Sequence, residues 1–503
     1  MQRVVKSILL IVLTVAATVR GQEDDLRRRL DWLNSRFGII DPQERLDAMR
    51  HEYETRRAEG RRSALAVAGT NWKSLGPTNS AGRISSIAFH PSDPNTLFVA
   101  AATGGVWKTS DAGASWQPLT DDIGTVSIGA VVVDPTNSDI VYVGTGEADA
   151  LSQGIGILKS TDGGRTWSFP ATVLSSAFYA ISINPANTQE LLAATISGAY
   201  RSTDGGATWT QVISDKKYLS VTGLSRHPTK PNVVWATTWD GDNWCASTRN
   251  CSYSSPRLLK SLDGGTTWTE KGVAVVLNLP ASTATTAVHR MSLAISPTNP
   301  STMYVLFETS EGQTLTYNPA AYTTHIYKSI DEGETWSELR QVSRNSSFSV
   351  QHLLASQGWY NNAIVVSPSN DNVVIAAGTY YTKTTDGGLH WDLLSSSSQL
   401  HVDVHQLRYN GTTLWIANDG GIWSSSDDAT TVVPHNRGLV IRQYYALTSD
   451  SSHRNRIFAG SQDNGTDRRP DSGGTEWDIV TGGDALEPTI DANVPSIAYI
   501  DVT

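Results

Sequence analysis

Apolar residues along this chain change rhythm twice. From Ile8 to Val19 they run almost unbroken behind Arg3 and Lys6, with small Gly21 just beyond. A basic start, a short apolar stretch and a small residue are the layout of a secretory signal peptide, and the run is too short for a bilayer span. Residues 1–21 are therefore read as a signal peptide and the mature protein as secreted and extracellular. In residues 22–68 the spacing becomes helical, with Leu26, Leu30 and Leu33 in a segment dense in charges of both signs. Pro42 after Asp41 suits the first turn of a second helix. The pattern predicts two short helices, as a helical N-terminal segment or propeptide. Arg61-Arg62 is either a processing site or a helix end.

From Asn71 onward helical periodicity gives way to short β-rich runs between Gly, Pro, Asn and Asp clusters. Two strings recur. The first is a strand, a Pro/Asn turn and a second strand: FHPSDPNTLFVAAA at 89–102, VDPTNSDIVYVGTG at 133–146, and four further copies to 379. The second reads KSTDGGRTW at 159–167 and returns as RSTDGGATW, KSLDGGTTW, KSIDEGETW and KTTDGGLHW. In it an Asp accepts backbone N–H and hydroxyl hydrogen bonds, Gly supplies a left-handed backbone, and Trp wedges between sheets. Together they spell a four-stranded antiparallel meander with the period of a propeller blade. The expected fold is all-β, a β-propeller over 69–503. At least eight units and an incomplete ninth are legible, so the array is expected to be C-terminally incomplete. NWKSLGP at 71–77 resembles an orphan fourth strand able to close a ring against the final blade.

Composition narrows function only by exclusion. Trp, at 16, outnumbers Phe, at 8, and 41 Gly fit a turn-rich β protein. A net charge of −10 offers no basic footprint for nucleic acid, and no later segment is apolar enough to span a membrane. Cys245 and Cys251 are expected to close a small disulfide loop, with two free thiols as the alternative. Sequons at Asn250, Asn345, Asn410 and Asn464 mark glycosylation sites if the chain is exported.

The aspartate repeats, with GRISSIAFHP, GGVWKTSDAG, YVGTGE, HVDVHQL, NDGGIW and GSQDNGT, resemble the Asp-box (BNR) repeat superfamily over about 71–500. That superfamily includes sialidases, two-propeller xyloglucanases and sortilin receptors. The chain looks most like the sortilin-like or glycosyl-hydrolase-like secreted propellers. The resemblance implies the fold and not an activity. The arginine triad and F/Y-R-I-P string of sialidases are not found. The two Asp that xyloglucanases set across an inter-propeller cleft have no matched counterparts. The cysteine-rich module and membrane span of sortilins do not occur in the sequence.

Polar residues at the ends of inner strands are the candidates for chemistry. His401, Asp403 and His405 alternate, which predicts one face of a strand. Two of the three could ligate a divalent metal, the one cofactor these residues suggest. Asp419 either joins them or, as expected, caps its own turn. Asp463 and Asn464 lie in a tight turn, where glycosylation of Asn464 and a place in a narrow channel exclude each other. Arg83 and Glu147 are expected to form an inter-blade ion pair, with a binding or acid/base role as the alternative. Trp239, Trp244, Trp359 and Tyr360 are either core or platforms for sugar rings. These residues suggest a secreted propeller recognising a glycan, peptide or matrix component on its channel face. Alternatives are a glycoside hydrolase or lyase with Glu147, Asp403 or Asp484 as acid/base groups, and a structural extracellular-matrix protein.

Overall fold

The computed structural model describes residues 42–58 and most of 73–500; segments 241–255, 272–285, 312–321 and 340–348 are among those not described. The signal peptide, the first expected helix, Trp244, Cys245, Cys251, Asn250 and Asn345 lie outside the described residues.

The repeating unit folds as its turns dictate. In the copy at 160–167, Ser160 Oγ donates to Asp162 Oδ1 at 2.8 Å, and Thr166 N and Oγ1 donate to the same carboxylate at 2.8 and 2.6 Å. Gly164 N closes the corner on Ser160 Oγ at 2.8 Å. Gly163 and Gly164 take left-handed φ values of 71° and 90°, which a side chain would resist. The copy at 425–431 lacks both glycines yet forms the same turn, with Asp428 and Ala429 held at φ 55° and 63°. The carboxylate and hydroxyl therefore define the corner, and glycine eases it.

Strands such as Leu97–Ala101 and Ile128–Val133 are buried along their whole length, on both faces, as meanders stacked face to face into blades require. The first runs inner to outer through Ile84–Phe89, Leu97–Ala101, Gly105–Thr109 and Gln117–Pro118. The innermost strands of the next six are Ile128–Val133, Phe178–Ile183, Leu219–Arg226, Ser292–Ile295, Ala363–Val366 and Val404–Asn410. Each lies against its neighbour, and the seventh returns to the first, so seven blades close a ring. Closure is both polar and apolar. Ile87 N donates to Gln406 Oε1 at 2.6 Å, Arg408 Nη1 donates to Ile87 O at 2.8 Å, and Trp116 Nε1 reaches His435 O at 2.8 Å. Ile84, Ile87, Leu97 and Val99 of the first blade share one core with Trp415, Ala417 and Ile422 of the seventh. The Trp wedges bridge blades here and at Trp167, whose Nε1 donates to Leu119 O at 2.9 Å.

Among the described residues the second blade has three full strands, with a single Lys159–Ser168 bridge in the place of a fourth. Helix Pro42–Ala58 covers this region, with Leu46 fully buried and Met49 and Tyr53 packed on the core of the first two blades.

An eighth four-stranded sheet, Tyr444–Asp450, His453–Ser461, Gly465–Arg469 and Asp478–Ile479, sits outside the ring. It is seated against the first and seventh blades, through Arg442 Nη1 to Ala81 O at 3.1 Å and Asn464 Nδ2 to Asp419 O at 3.0 Å. A two-stranded sheet, Thr489–Ile490 with Ala498–Tyr499, follows as the incomplete ninth unit. The described part of the NWKSLGP segment, residues 73–77, does not close the ring, which closes through the first and seventh blades. Residues 75–79 instead bind the outer edge of the eighth sheet, where Thr78 N donates to Thr475 O at 2.7 Å and Trp477 Nε1 to Leu75 O at 2.8 Å.

Hydroxyl hydrogen bonds from Ser115, Thr208 and Thr335 are the largest of the causes that lower the carboxyls of Asp111, Asp204 and Asp331 to about 2. A carboxyl lowered in the fold contributes stability that is present above its unfolded value, near 4, and lost on the way down to its folded value. The melting temperature is therefore expected to fall as pH drops from about 4 to about 2. Asp162→Ala should lower it at neutral pH, and a melting curve unchanged by either would contradict this account.

Candidate functional site

Five residues from four ring blades and one from the eighth sheet converge where the ring meets that sheet. Arg83 enters just before the first inner strand, and its side chain is buried. Its Nε lies 3.1 Å from Asp419 Oδ1, in the turn after strand Thr413–Asn418 of the seventh blade. Its Nη1 is 3.8 Å from Glu147 Oε2 of the second blade, and its Nη2 is 3.9 Å from Asp463 Oδ2 of the eighth sheet. Arg83 also lies over the Tyr360 ring, 5.2 Å from its centroid. Asp419 makes two further contacts: His405 Nε2 lies 2.6 Å from Oδ1, and Tyr360 Oη donates to Oδ2 at 2.6 Å.

The network extends to the far side of the ring through Asp149. Its Oδ2 is 3.4 Å from His405 Nδ1, and its Oδ1 accepts Arg290 Nη1 of the fifth blade at 2.7 Å. Arg290 Nη2 donates in turn to Tyr360 O. Beneath lies a cavity of about 210 Å³ along the ring axis, lined by inner-strand residues such as Ser85, Thr222, Ser292 and Gln406.

Charge pairing explains how these groups titrate. Burial alone would suppress the His405 charge, but Asp419 and Asp149 outweigh it and raise His405 to about 9. Burial likewise opposes ionisation of Asp419, yet Arg83 and His405 hold its carboxyl far below the usual range. Arg83, Arg290 and His405 thus face Glu147, Asp149 and Asp419, one cation for each carboxylate. Three neighbouring carboxyls stand beside these pairs: Asp403, Asp463 and Asp484. Burial, then Asp419 and Asp484, push Asp463 up to about 8, while burial and Asp419 push Asp403 up to about 6. Asp463 is the more accessible, its side chain 28% exposed.

The structure places the other predicted residues as follows. His401, Asp403 and His405 do not share a strand face. The strand begins at Val404, and Asp403 sits at φ 64°, which breaks the alternation. His401 Nε2 lies 3.0 Å from Asp463 O, while Asn361 Nδ2 donates to Asp403. Asp419 does not cap its turn; Asn418 Oδ1 does, accepting Gly420 N at 3.0 Å, and Asp419 joins His405. Asp484 fixes the neighbouring turn by accepting Asp463 N at 2.8 Å. Trp359 packs on Tyr360 at 5.4 Å and stays partly exposed, whereas Trp239 is core. Asn464 Nδ2, the atom a glycan would need, donates to Asp419 O and Gln462 O. Asn410 Nδ2 lies at the first blade, 3.4 Å from Pro94 O.

Asp403, Asp419 and Asp463 bring carboxylate oxygens within 4.8 Å of one another. That set suits a divalent metal poorly. Asp419 is already engaged by Arg83, His405 and Tyr360, and the guanidinium beside it supplies the positive charge. Sequence reasoning missed Asp149 and Arg290. Asp149 follows Glu147 by two residues, and Arg290 is a lone charge between apolar runs, so both carried a weak signal.

Comparison with known proteins agrees with the architecture. No family model matches the chain. The GH74 xyloglucanase from Xanthomonas campestris superposes with a TM-score of 0.59 at 17% identity, over 86% of this chain and 65% of that one. An ancestral GH74 enzyme gives 0.55 at 17% identity, over 86% of this chain and 59% of that one. The chain is a β-propeller. In sequence, a curated xyloglucanase from a Paenibacillus species is 31% identical over 103 residues, 19% of this chain and 10% of that protein. The chain thus spans less than two thirds of either solved structure, and its match covers a tenth of the curated relative. No helix among the described residues is long and apolar enough to cross a membrane.

Two outcomes follow for the charge network. His405 and Asp463 have raised values, so their contribution to stability is full below their unfolded values and fades as pH rises through the folded ones. Melting temperature is expected to decline between pH 6.5 and about 9 as His405 loses its proton. Asp419→Asn leaves Arg83 and His405 without their shared partner, and should lower the unfolding free energy by roughly 3–5 kcal/mol in chemical denaturation. A loss below about 1 kcal/mol would place Asp419 among screened surface pairs and refute the buried network.

Proposed function

We propose that this chain is a secreted β-propeller that binds a glycan in the seam between the seven-bladed ring and the eighth sheet. The observation that carries the reading is Asp463: a partly exposed carboxyl, protonated near neutral pH, that shares Arg83 with Tyr360, the ring on which Trp359 packs. A protonated carboxyl donates to a sugar hydroxyl, its carbonyl oxygen accepts from another, and a partly exposed indole stacks on an apolar ring face. Export is supported by the basic-apolar N-terminus, and the glycan class by the xyloglucanase names of the relatives.

A second reading, glycan cleavage, is favoured by the same proton on Asp463, which suits a general acid. Hydrolysis also needs a second, reachable carboxylate about 5–9.5 Å away. Asp403 and Asp419 are near enough, but both are enclosed and hydrogen-bonded by protein. Binding is therefore the leading reading.

Titration calorimetry with xyloglucan oligosaccharides and a panel of other β-glucans should show saturable binding. Asp463→Asn and Trp359→Ala should each weaken it about tenfold at unchanged melting temperature. No heat with any glycan of the panel would overturn the proposal. Release of reducing ends, lost in Asp463→Asn, would instead establish cleavage.

A further inference from the structure

The loop that carries Trp359 and Tyr360 is held in an unfavourable backbone. Ala355 and Ser356 are consecutive non-glycine residues at φ 47° and 70°. Such residues persist only where the surroundings hold them. Thr324 and Thr379 hold Leu354 just before the turn, and one buried side chain grips the turn itself. Glu308, in strand Met303–Glu311 of the fifth blade, is fully buried. Its Oε1 accepts Ser356 N at 2.9 Å and its Oε2 accepts Gly358 N at 3.0 Å. His289 Nδ1 lies 3.0 Å from the same Oε2. The fit is close: a Cβ on Gly358 would stand 2.6 Å from Glu308 Cβ, so glycine is required at that approach.

Beyond this grip the loop is pinned by Arg290 on Tyr360 O and by the Asn361 bond to Asp403. Trp359 lies between the two anchorages and is partly exposed. A buried carboxylate that bridges two N–H groups makes charge-assisted bonds, stronger than those between neutral partners. It therefore fixes where the indole sits.

We propose that Glu308 is a positioning residue that presents Trp359 to a bound sugar, an inference that rests on the glycan reading above. It touches no ligand itself. Its effect passes through the indole, so removing the indole should make Glu308 irrelevant to affinity.

The test combines Glu308→Gln with hydrogen exchange and binding to xyloglucan oligosaccharides. Glu308→Gln should speed exchange in segment 354–360 at least tenfold and weaken binding about tenfold. In the Trp359→Ala background it should weaken binding no further. Gly358→Ala, which disturbs the same contact from the loop side, should reproduce both effects if Glu308→Gln folds poorly. Unchanged exchange in both variants, or losses that multiply in the double variant, would overturn the proposal. If the unaltered protein binds no glycan while Glu308→Gln still speeds exchange, the glycan reading fails and the loop anchor stands. If binding is intact and both variants match the unaltered protein, the anchor alone fails.

Discussion

The contact between Arg83 and Asp419, 3.1 Å apart and enclosed by protein, governs the rest of the site. An isolated charge at either position would be expelled or neutralised, since burial penalises both ions. Each survives because the other is there, and because His405, Tyr360 and Glu147 complete the surroundings. These groups come from blades far apart in sequence. Closure of the ring at the first and seventh blades is what brings Arg83 to Asp419 at all. The network therefore depends on correct closure, and closure leaves buried charges uncompensated unless the network forms.

The same bookkeeping shapes the surface. With three cations set closest to three other carboxylates, burial and the neighbouring Asp419 outweigh the distant Arg83 at Asp463 and His405 at Asp403, and both hold their protons to higher pH. Asp403 is shut in by Asn361, so only Asp463 offers its proton outward. Its position depends on the eighth sheet, through Asp484 on its backbone N–H and Asn464 on Asp419 O. A ring alone would carry the ion network without the outward-facing carboxyl. The binding reading thus assigns the function to the seam rather than to the channel.

Local chemistry was legible in the sequence wherever the determining contacts are local. The Ser-x-Asp corner, the Pro/Asn turn and the Trp wedge each act within a few residues, so a repeated string reports a repeated blade. Even Asp427, without glycine or Trp after it, kept its corner because Ser425 and Thr431 remain. The site was legible only in part. Arg83, Glu147, His405, Asp419 and Asp463 stood out as polar residues at strand ends, but their pairing is set by ring geometry, which no short window contains. One left-handed residue, Asp403, overturned the alternation expected of His401 and His405. Glu308 follows an apolar run in its strand, and besides His289 its partners are backbone N–H groups of the loop before the sixth blade, which leave no mark in side-chain patterns.

The central claim is that charge pairing in the hub is complete and leaves Asp463 protonated at neutral pH. Carbon-detected nuclear magnetic resonance of the aspartate carboxyls, assigned with Asp463→Asn, measures this directly. An apparent value for Asp463 near 8 is expected, returning toward the ordinary carboxylate range when Asp419→Asn removes the neighbouring charge. A value near 4 in the unaltered protein, the ordinary figure for an aspartate, would contradict the account.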